Sequence, residues 1–500
     1  MIRILWVLMI FVSWSLMSCS SSQKNFNPNK KIPAVQLQKD FLLLRNILEE
    51  KHPSLYWYTP KDSINFYFDK YYSDIKDSMT EQQFAWHILF PLIDKIHCGH
   101  TSVGMSKAYG KWAAGRRQAT FPLYMKIWND TMAVTANLNR KDSIFKRGTL
   151  ITSVNGTRNK ELISDMFNYL PEDGQANNVN YIRLSANFPY YHRNIYGISK
   201  KYAVTYIDSN GVEQKDSLAL HVIPRDSARK DSIVKREKIK LPKERKQNLY
   251  RSLNIDSSGK FAVMTVNSFT RGRLRNFFRK SFRELREKNI TNLVLDIRSN
   301  GGGRVGLSTL LTKYISRTPF KVADTLFSVT QNLRPYTKYF EGGFLNNIEL
   351  FFISHKSQDG QFHIRHLENK LYEPKKTAYK GEVYVLTNGP TFSAAALFAN
   401  AVKGQPGIVL LGEETGGGWY GNNGIMIPDV TLPNTKLRVR MPLFRLVQYQ
   451  HVAKNGSGIV PDIYVGTSYE ALIKGEDKKM EVVKEIILKK SEPAIANPVL

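Results

Sequence analysis

Cysteine is almost missing from this chain, with two among 500 residues, Cys19 and Cys98. That excludes a disulfide framework, so stability must come from packed cores. Zinc-ligand spacing is missing as well. His97, Cys98 and His100 stand within four residues, but no second ligand pair follows at suitable distance, and no metal is expected. Acidic residues are in short supply, 43 Asp and Glu against 72 Lys and Arg, for a formal net charge of +29. A balance this basic admits a nucleic-acid partner. No zinc-finger or aromatic RNA-binding signature accompanies it, and much of the charge sits in stretches such as residues 225–246. A solvated basic surface, or attraction to anionic membrane, is the expected meaning, with no nucleic acid. What is present is core material: 42% hydrophobic and 12% aromatic residues, which excludes a disordered chain and suits two to four domains.

The amino terminus carries an address. Arg3 precedes an apolar run over residues 4–17, long enough for a signal-peptide core and short for a membrane span. It ends in Leu16-Met17-Ser18-Cys19, which resembles a bacterial lipoprotein signal, with the cysteine as the lipidated first residue of the mature chain. Residues 1–18 are then the signal peptide. Residues 19–34, polar with Asn, Lys and Pro, read as a tether. With lipid on Cys19, Cys98 has no disulfide partner within the chain.

Patterning divides the remainder. Residues 35–105 read as a helical region: Leu37, Phe41, Leu44, Ile47 and Leu48 recur at helical spacing, as do Phe84, Ile88, Leu89 and Leu92. Residues 115–224 read as a β domain. Runs at 121–127 and 131–136 flank an Asn129-Asp130 turn, and a closing hairpin is expected over 202–207 and 217–222. Within it, Val154-Asn155-Gly156 followed by a helix at 160–170 resembles the interior of a PDZ domain, which adds a peptide to a sheet edge. The aromatic stretch 177–198 has no clear pattern. Residues 225–255 read as a basic linker. From 256 to 475 strands and helices alternate: strands at 261–266 and 291–297, helices at 273–288 and 305–315. That alternation predicts a layered α/β domain with largely parallel pairing. Residues 476–500 form a tail or helix.

Two stretches of the α/β domain carry chemistry. In residues 381–418 a buried strand run, Val383 to Leu386, is broken by Asn388-Gly389-Pro390, and an alanine-rich helix follows from Ala394 to Val402. Ser393 stands at the head of that helix, near its free N–H groups and the positive end of its dipole. A hydroxyl there can attack a carbonyl with an anion stabilised beside it; it can also be nothing more than a helix cap. The second stretch is Gly301-Gly302-Gly303 after a strand. It lacks the Lys-Ser/Thr of a P-loop and the spacing of a dinucleotide fingerprint. Glycines there suit either an oxyanion site, through close backbone approach, or a tight turn.

Asp296-Ile297-Arg298-Ser299-Asn300-Gly301-Gly302-Gly303, Thr391-Phe392-Ser393-Ala394-Ala395, Gly412-Glu413-Glu414-Thr415-Gly416-Gly417 and Gly458-Ile459-Val460-Pro461-Asp462-Ile463 together resemble the C-terminal processing (tail-specific) and tricorn-core serine peptidase family. The likeness spans about residues 35–465, and the four motifs stand in the family's order. It implies a helical amino-terminal region, a PDZ-like domain and a ClpP/crotonase-like catalytic domain. It implies Ser393 as nucleophile and the N–H groups of Gly302 and Ala394 as oxyanion donors. Tail-specific proteases pair the serine with a lysine in a Thr-x-Gly-Lys motif; here Thr415 is followed by three glycines, so that dyad cannot form. The tricorn-like branch draws a histidine from ahead of its PDZ domain, and Gly99-His100-Thr101 resembles that segment. His100 is then the base, a role that suits an imidazole near neutral pH. The same branch places a glutamate before its closing segment, where this chain has Asn455. Glu414, with Glu413 beside it, is the expected substitute for orienting His100.

The sequence thus leads to a lipid-anchored serine endopeptidase of the cell envelope, acting on polypeptides through an acyl-enzyme, with no metal or organic cofactor and an open oligomeric state. A non-catalytic peptide-binding lipoprotein of the same fold is the alternative. A crotonase-type acyl-CoA enzyme shares the fold, but needs neither the lipoprotein signal nor the PDZ-like domain.

Overall fold

A computed structural model describes residues 26–114, 116, 118–222, 242–449 and 452–491. The expected signal peptide, residues 19–25 of the tether including Cys19, much of the basic linker and residues 492–500 lie outside the described residues.

The apolar stripe of the Ala34–Lys51 helix is buried at Leu37, Phe41, Leu44, Ile47 and Leu48, and the Lys61–Ser73 helix adds Ile64, Phe68 and Tyr71. A π-helical turn at Phe84–Leu89 and a short Phe90–Asp94 helix complete the region. These helices do not close a core by themselves. Their apolar side chains form one cluster with Leu326, Leu333, Leu350, Val439 and Leu446 from the second half of the chain. A polar clamp holds the same junction. The Asp40 carboxylate, fully buried, accepts hydrogen bonds from the N–H groups of Asn434 and Thr435, the Asn434 side-chain amide and the Thr435 hydroxyl at 2.7–3.0 Å. A three-stranded sheet crosses the junction as well, with Ser102–Gly104 pairing antiparallel to Arg438–Arg440.

The β unit expected to be PDZ-like is an antiparallel sheet in the order Leu123–Trp128, Thr131–Asn137, Leu150–Val154, Lys201–Ile207, Glu213–Ala219. Burial alternates along Leu123–Trp128, so one face of the sheet is covered. The Asn159–Phe167 helix and the Asn178–Tyr196 helix lie over it, with Met125, Ile127, Leu184 and Phe188 between. The second of these occupies the stretch without a clear pattern. It is kinked at Asn187 (φ −155°, ψ 46°), two residues before Pro189, because proline cannot continue a helical hydrogen-bond ladder.

The α/β unit is a six-stranded sheet in the order Arg251–Ile255, Ala262–Val266, Asn292–Asp296, Glu382–Thr387, Ile408–Gly412, Ile463–Tyr464. The first pair is antiparallel and the rest are parallel. Its central strands are continuous apolar runs because both faces are covered. The Leu274–Glu287, Val305–Ile315 and Ala394–Val402 helices pack on one face. The Lys478–Ser491 helix packs on the other through Val483 and Ile487 against Val294, Tyr384, Leu386 and Leu411. The sheet begins within the stretch expected to be linker: Arg251–Ile255 is an edge strand without a fully buried residue, so it carries little apolar signal. A second sheet places Ala323–Ser328, Phe444–Gln448 and Gly421–Gly424 side by side.

Removing the Asp40 carboxylate strands buried donors at the junction. Asp40→Ala is expected to lower stability to denaturant by about 2–3 kcal/mol, against no more than about 0.5 kcal/mol for the exposed Asp62→Ala.

Candidate active site

Ser393 is brought to its place by a strand, a turn and a helix. The Glu382–Thr387 strand is buried almost throughout and ends at the carboxyl edge of the sheet. Asn388 accepts the Thr391 N–H at 2.8 Å, and the Thr391 hydroxyl donates to the Ile297 carbonyl at 3.1 Å, fixing the turn to the neighbouring strand. The Ala394–Val402 helix follows, with all nine residues buried. Ser393 occupies the cap position at φ 53° and ψ −125°, a positive-φ conformation that non-glycine residues rarely adopt. Its hydroxyl makes no capping hydrogen bond. The capping function is therefore not what holds this serine in a conformation costing about 1–3 kcal/mol.

The glycine run presses on the same turn. Asn300, fully buried, receives the Phe392 N–H on its carbonyl at 3.1 Å and sends its side-chain amide to the Val266 carbonyl at 2.9 Å. Gly302 has φ +94°, and a Cβ there would lie 2.7 Å from both the Phe392 carbonyl oxygen and Ser393 Cβ, and 2.9 Å from the Ala394 nitrogen. The structure thus brings Gly302, Ser393 and Ala394 together. The Gly302 N–H donates to Asn300 Oδ1 at 2.9 Å, so in this state it is already committed. The Ala394 N–H sits at the first position of the helix, where no intrahelical acceptor exists.

His100 reaches this place from the helical region. A Thr101 N–H to Cys98 carbonyl turn precedes the Ser102–Gly104 strand, which is pinned to Arg438–Arg440. The imidazole lies against the ring of Phe392, the residue before Ser393, with centroids 4.7 Å apart. Its Nδ1 is buried without a hydrogen-bond partner, and the nearest carboxylate oxygen, Asp173 Oδ1, is 4.0 Å away. Asp173 comes from the loop between the two helices of the β unit. Its carboxylate accepts the Gly99 N–H at 2.8 Å and the Gly418 N–H at 3.4 Å, linking the histidine loop to the glycine-rich loop. The same loop sends the Gly174 N–H to the His97 carbonyl and the Gln175 N–H to the Gly456 carbonyl.

Burial sets the charges. It pushes His100 down to about 4, with Arg183 and Arg440 adding to the effect. It pushes Asp173 up to about 7, against the opposing hydrogen bonds from Gly99 and Gly418 and the charge of Arg183. The imidazole is therefore neutral near pH 7, the form a general base requires.

Glu414, expected to orient His100, has another task. Its Oε1 accepts the Gly458 N–H at 2.5 Å, and burial raises its pKa against that bond. Glu413 is paired with Lys479 at 2.5 Å. The carboxylate facing His100 is that of Asp173. The glycine-rich loop explains how this is accommodated. At Gly418, the lysine position of the Thr-x-Gly-Lys motif, a Cβ would lie 2.6 Å from the Gly421 carbonyl, 3.5 Å from Asp173 Cβ and 3.6 Å from the Tyr58 hydroxyl. The space a side chain would need is filled, in part by Asp173. Sequence reasoning missed this residue: Pro171-Glu172-Asp173-Gly174 signals a turn, and nothing in the chain links that turn to position 100.

The neighbouring groups are otherwise engaged. His97 Nδ1 meets Glu172 Oε1 at 3.1 Å, and the Cys98 thiol, pushed up to about 12 by burial, accepts from the Asn423 amide at 3.2 Å. Among the described residues no group of three or more His, Cys, Asp and Glu is placed to hold a metal ion. Asn455 is exposed and accepts hydrogen bonds from the Ser457 N–H and hydroxyl.

Residues 260–465 match Peptidase family S41. The chain is similar in structure to mature CPAF complexed with lactacystin, with a TM-score of 0.60 at 13% identity, over 91% of this chain and 98% of that one. Mature CPAF without that ligand gives a TM-score of 0.60 at 13% identity, over 92% and 99%. A putative peptidase from Parabacteroides merdae gives a TM-score of 0.47 at 16% identity, over 93% and 100%. The curated proteins include no match. At these identities the structural likeness speaks for the fold.

The packing around Ser393 predicts a sharp contrast between adjacent glycines. Gly302→Ala is expected to cost about 2–3 kcal/mol in denaturant unfolding. Gly301→Ala, where a Cβ meets nothing within 4 Å, is expected to cost less than about 0.5 kcal/mol.

Proposed function

Since residues 260–465 belong to peptidase family S41 and the chain is a serine-type peptidase, we propose that it cleaves polypeptides through an acyl-enzyme on Ser393, with His100 as general base and Asp173 as the residue that positions it. The observation that carries this reading is the uncapped Ser393 hydroxyl, held at positive φ with the His100 ring packed on the preceding residue.

In this reading Ser393 Oγ attacks the scissile carbonyl while its proton passes to His100 Nε2. The resulting imidazolium gives that proton to the departing amine. Water then repeats the sequence against the ester and restores the serine. The Ala394 N–H, at the positive end of a buried helix, receives the oxyanion. Gly302 is the second donor, joining by exchanging its present bond to Asn300. Asp173 keeps the Nδ1–H of His100 turned away from the serine and stabilises the imidazolium. The 4.0 Å separation closes in this account as substrate binds, as catalytic hydrogen bonds commonly do.

Cys19 would carry lipid, holding the enzyme to the cell envelope, and the basic surface would favour acidic polypeptides or lipid headgroups. The expected PDZ-like edge would present extended chain to the site.

Peptide hydrolysis by the soluble form, residues 20–500, tests the assignment. Ser393→Ala should abolish turnover and His100→Ala should lower kcat/KM by about 10³-fold. Asp173→Asn should lower it by about 10²–10⁴-fold, whereas Glu414→Gln should change it less than about threefold. A reversed order for the last two variants would return the orienting role to Glu414.

The pH profile gives a second readout. Asp173 is raised to about 7, so its charge is lost as pH falls through that value, and the imidazolium loses its support. Wild-type kcat/KM is expected to rise with pH through an apparent pKa near 7. In Asp173→Asn that limb should vanish, leaving one near 4, where His100 itself titrates. An unchanged limb in the variant would contradict the assignment.

A further inference from the structure

The Gly343–Ile353 helix is amphipathic in the wrong sense for a soluble body. Gly343 and Leu350 are its buried residues, and Leu350 joins the shared core. Phe344, Leu345, Ile348, Phe351 and Phe352 are 42–73% exposed. At 3.6 residues per turn these five span an arc of about 120° on the side away from Leu350. A monomeric soluble surface has no use for five large apolar side chains in one continuous stripe.

What covers the stripe is indicated by where the chain enters the fold. Phe26, the first described residue, packs on Tyr109 and Trp112 of the Lys107–Ala113 helix with ring centroids 6.0 Å away in each case. That helix has no buried residue. Its Lys107 ammonium meets Glu341 at 2.9 Å, and Gly342, the next residue, caps the apolar helix. The entry point, an aromatic helix and the apolar stripe therefore lie side by side. Cationic groups surround them: Lys111 and Arg116 are exposed beside Trp112, with Arg116 over its ring at 5.1 Å, and Lys338 and Lys356 flank the apolar helix. Glu341, Glu349 and Asp429 are acidic and lie together near the start of the helix, Glu341 paired with Lys107 and Asp429 with Arg438 and Arg440. Aromatic rings and basic side chains bordering an apolar stripe are the chemistry of a membrane–water interface.

We infer that the Gly343–Ile353 helix docks on an anionic lipid surface and seats the folded body on the membrane by the side where its tether enters. The length of the tether supports this and rests on the lipid-anchor reading: the seven residues from Ser20 to Phe26 reach at most about 25 Å. Phe26 and the helices beside it cannot then stand far from the headgroups. A net charge of +29 adds attraction to anionic lipid over a Debye length. Two weak attachments, a lipid chain and a docked helix, together hold what either alone would release.

The test uses the soluble form, residues 20–500, so that binding does not depend on lipid at Cys19. It should sediment with vesicles of phosphatidylcholine and phosphatidylglycerol at 70:30, and more weakly with phosphatidylcholine alone. The variant Phe344→Ser/Phe351→Ser/Phe352→Ser keeps the charge, and is expected to partition at least tenfold less while cleaving a short soluble peptide at the wild-type rate. An environment-sensitive fluorophore attached through Leu345→Cys, Cys98 being buried, should shift to the blue on vesicle addition. Failure of the wild type to sediment with anionic vesicles, or unchanged partition of the variant with an unshifted fluorophore, overturns the inference. A wild-type dimer that the variant dissolves overturns it in favour of a second copy. A raised KM for long polypeptides with unchanged partition overturns it in favour of substrate. Fatty-acid labelling of the full chain, compared with Cys19→Ala, reports on the anchor separately.

Discussion

Everything in the site follows from one backbone conformation, that of Ser393. At φ 53° and ψ −125° the residue turns its hydroxyl out of the helix it precedes instead of into the helix's free N–H groups. Such a conformation persists when its surroundings leave no alternative. Here Gly302 presses on it from one side, Asn300 and Thr391 hold the turn by hydrogen bonds, and the helix behind it is buried along its full length. The packing energy of an apolar α/β layer is thereby used to keep one half-buried hydroxyl free of the helix cap.

The second constraint is that the candidate site belongs to no single part of the chain. Ser393 comes from the α/β layer, His100 from the helical region and Asp173 from the antiparallel β unit. A core shared between the first two, the buried Asp40 clamp and the sheet across the junction fix the imidazole relative to the serine turn. Asp173 then ties the third part in through two backbone N–H groups on opposite sides. The glycine at position 418 fits this arrangement, because the space beyond it holds Asp173 and Tyr58.

The legibility of the sequence followed the range of the interactions. The strand–turn–helix around Ser393, the helix Val305–Ile315 with its expected bounds and the parallel core were readable because local pattern specifies them. The helix over 178–196 was not, since Pro189 and a run of aromatics hide its period. Nor was the edge strand at Arg251–Ile255, whose half-exposed residues resemble linker. Glu414 neighbours the glycine-rich loop in sequence and so invites the orienting role, yet it serves the Gly458 backbone. Asp173 lies 74 residues from the loop whose N–H it accepts, and no periodicity or motif reports a contact of that span.

The central claim is that the Ser393 hydroxyl is activated by His100. Covalent labelling measures this most directly: the soluble protein is treated with a fluorophosphonate, and the adduct is located by peptide mass mapping. The account predicts modification at Ser393, slowed at least about 100-fold in His100→Ala. No adduct on the folded protein, or an adduct at Ser393 formed equally fast without the imidazole, would contradict it.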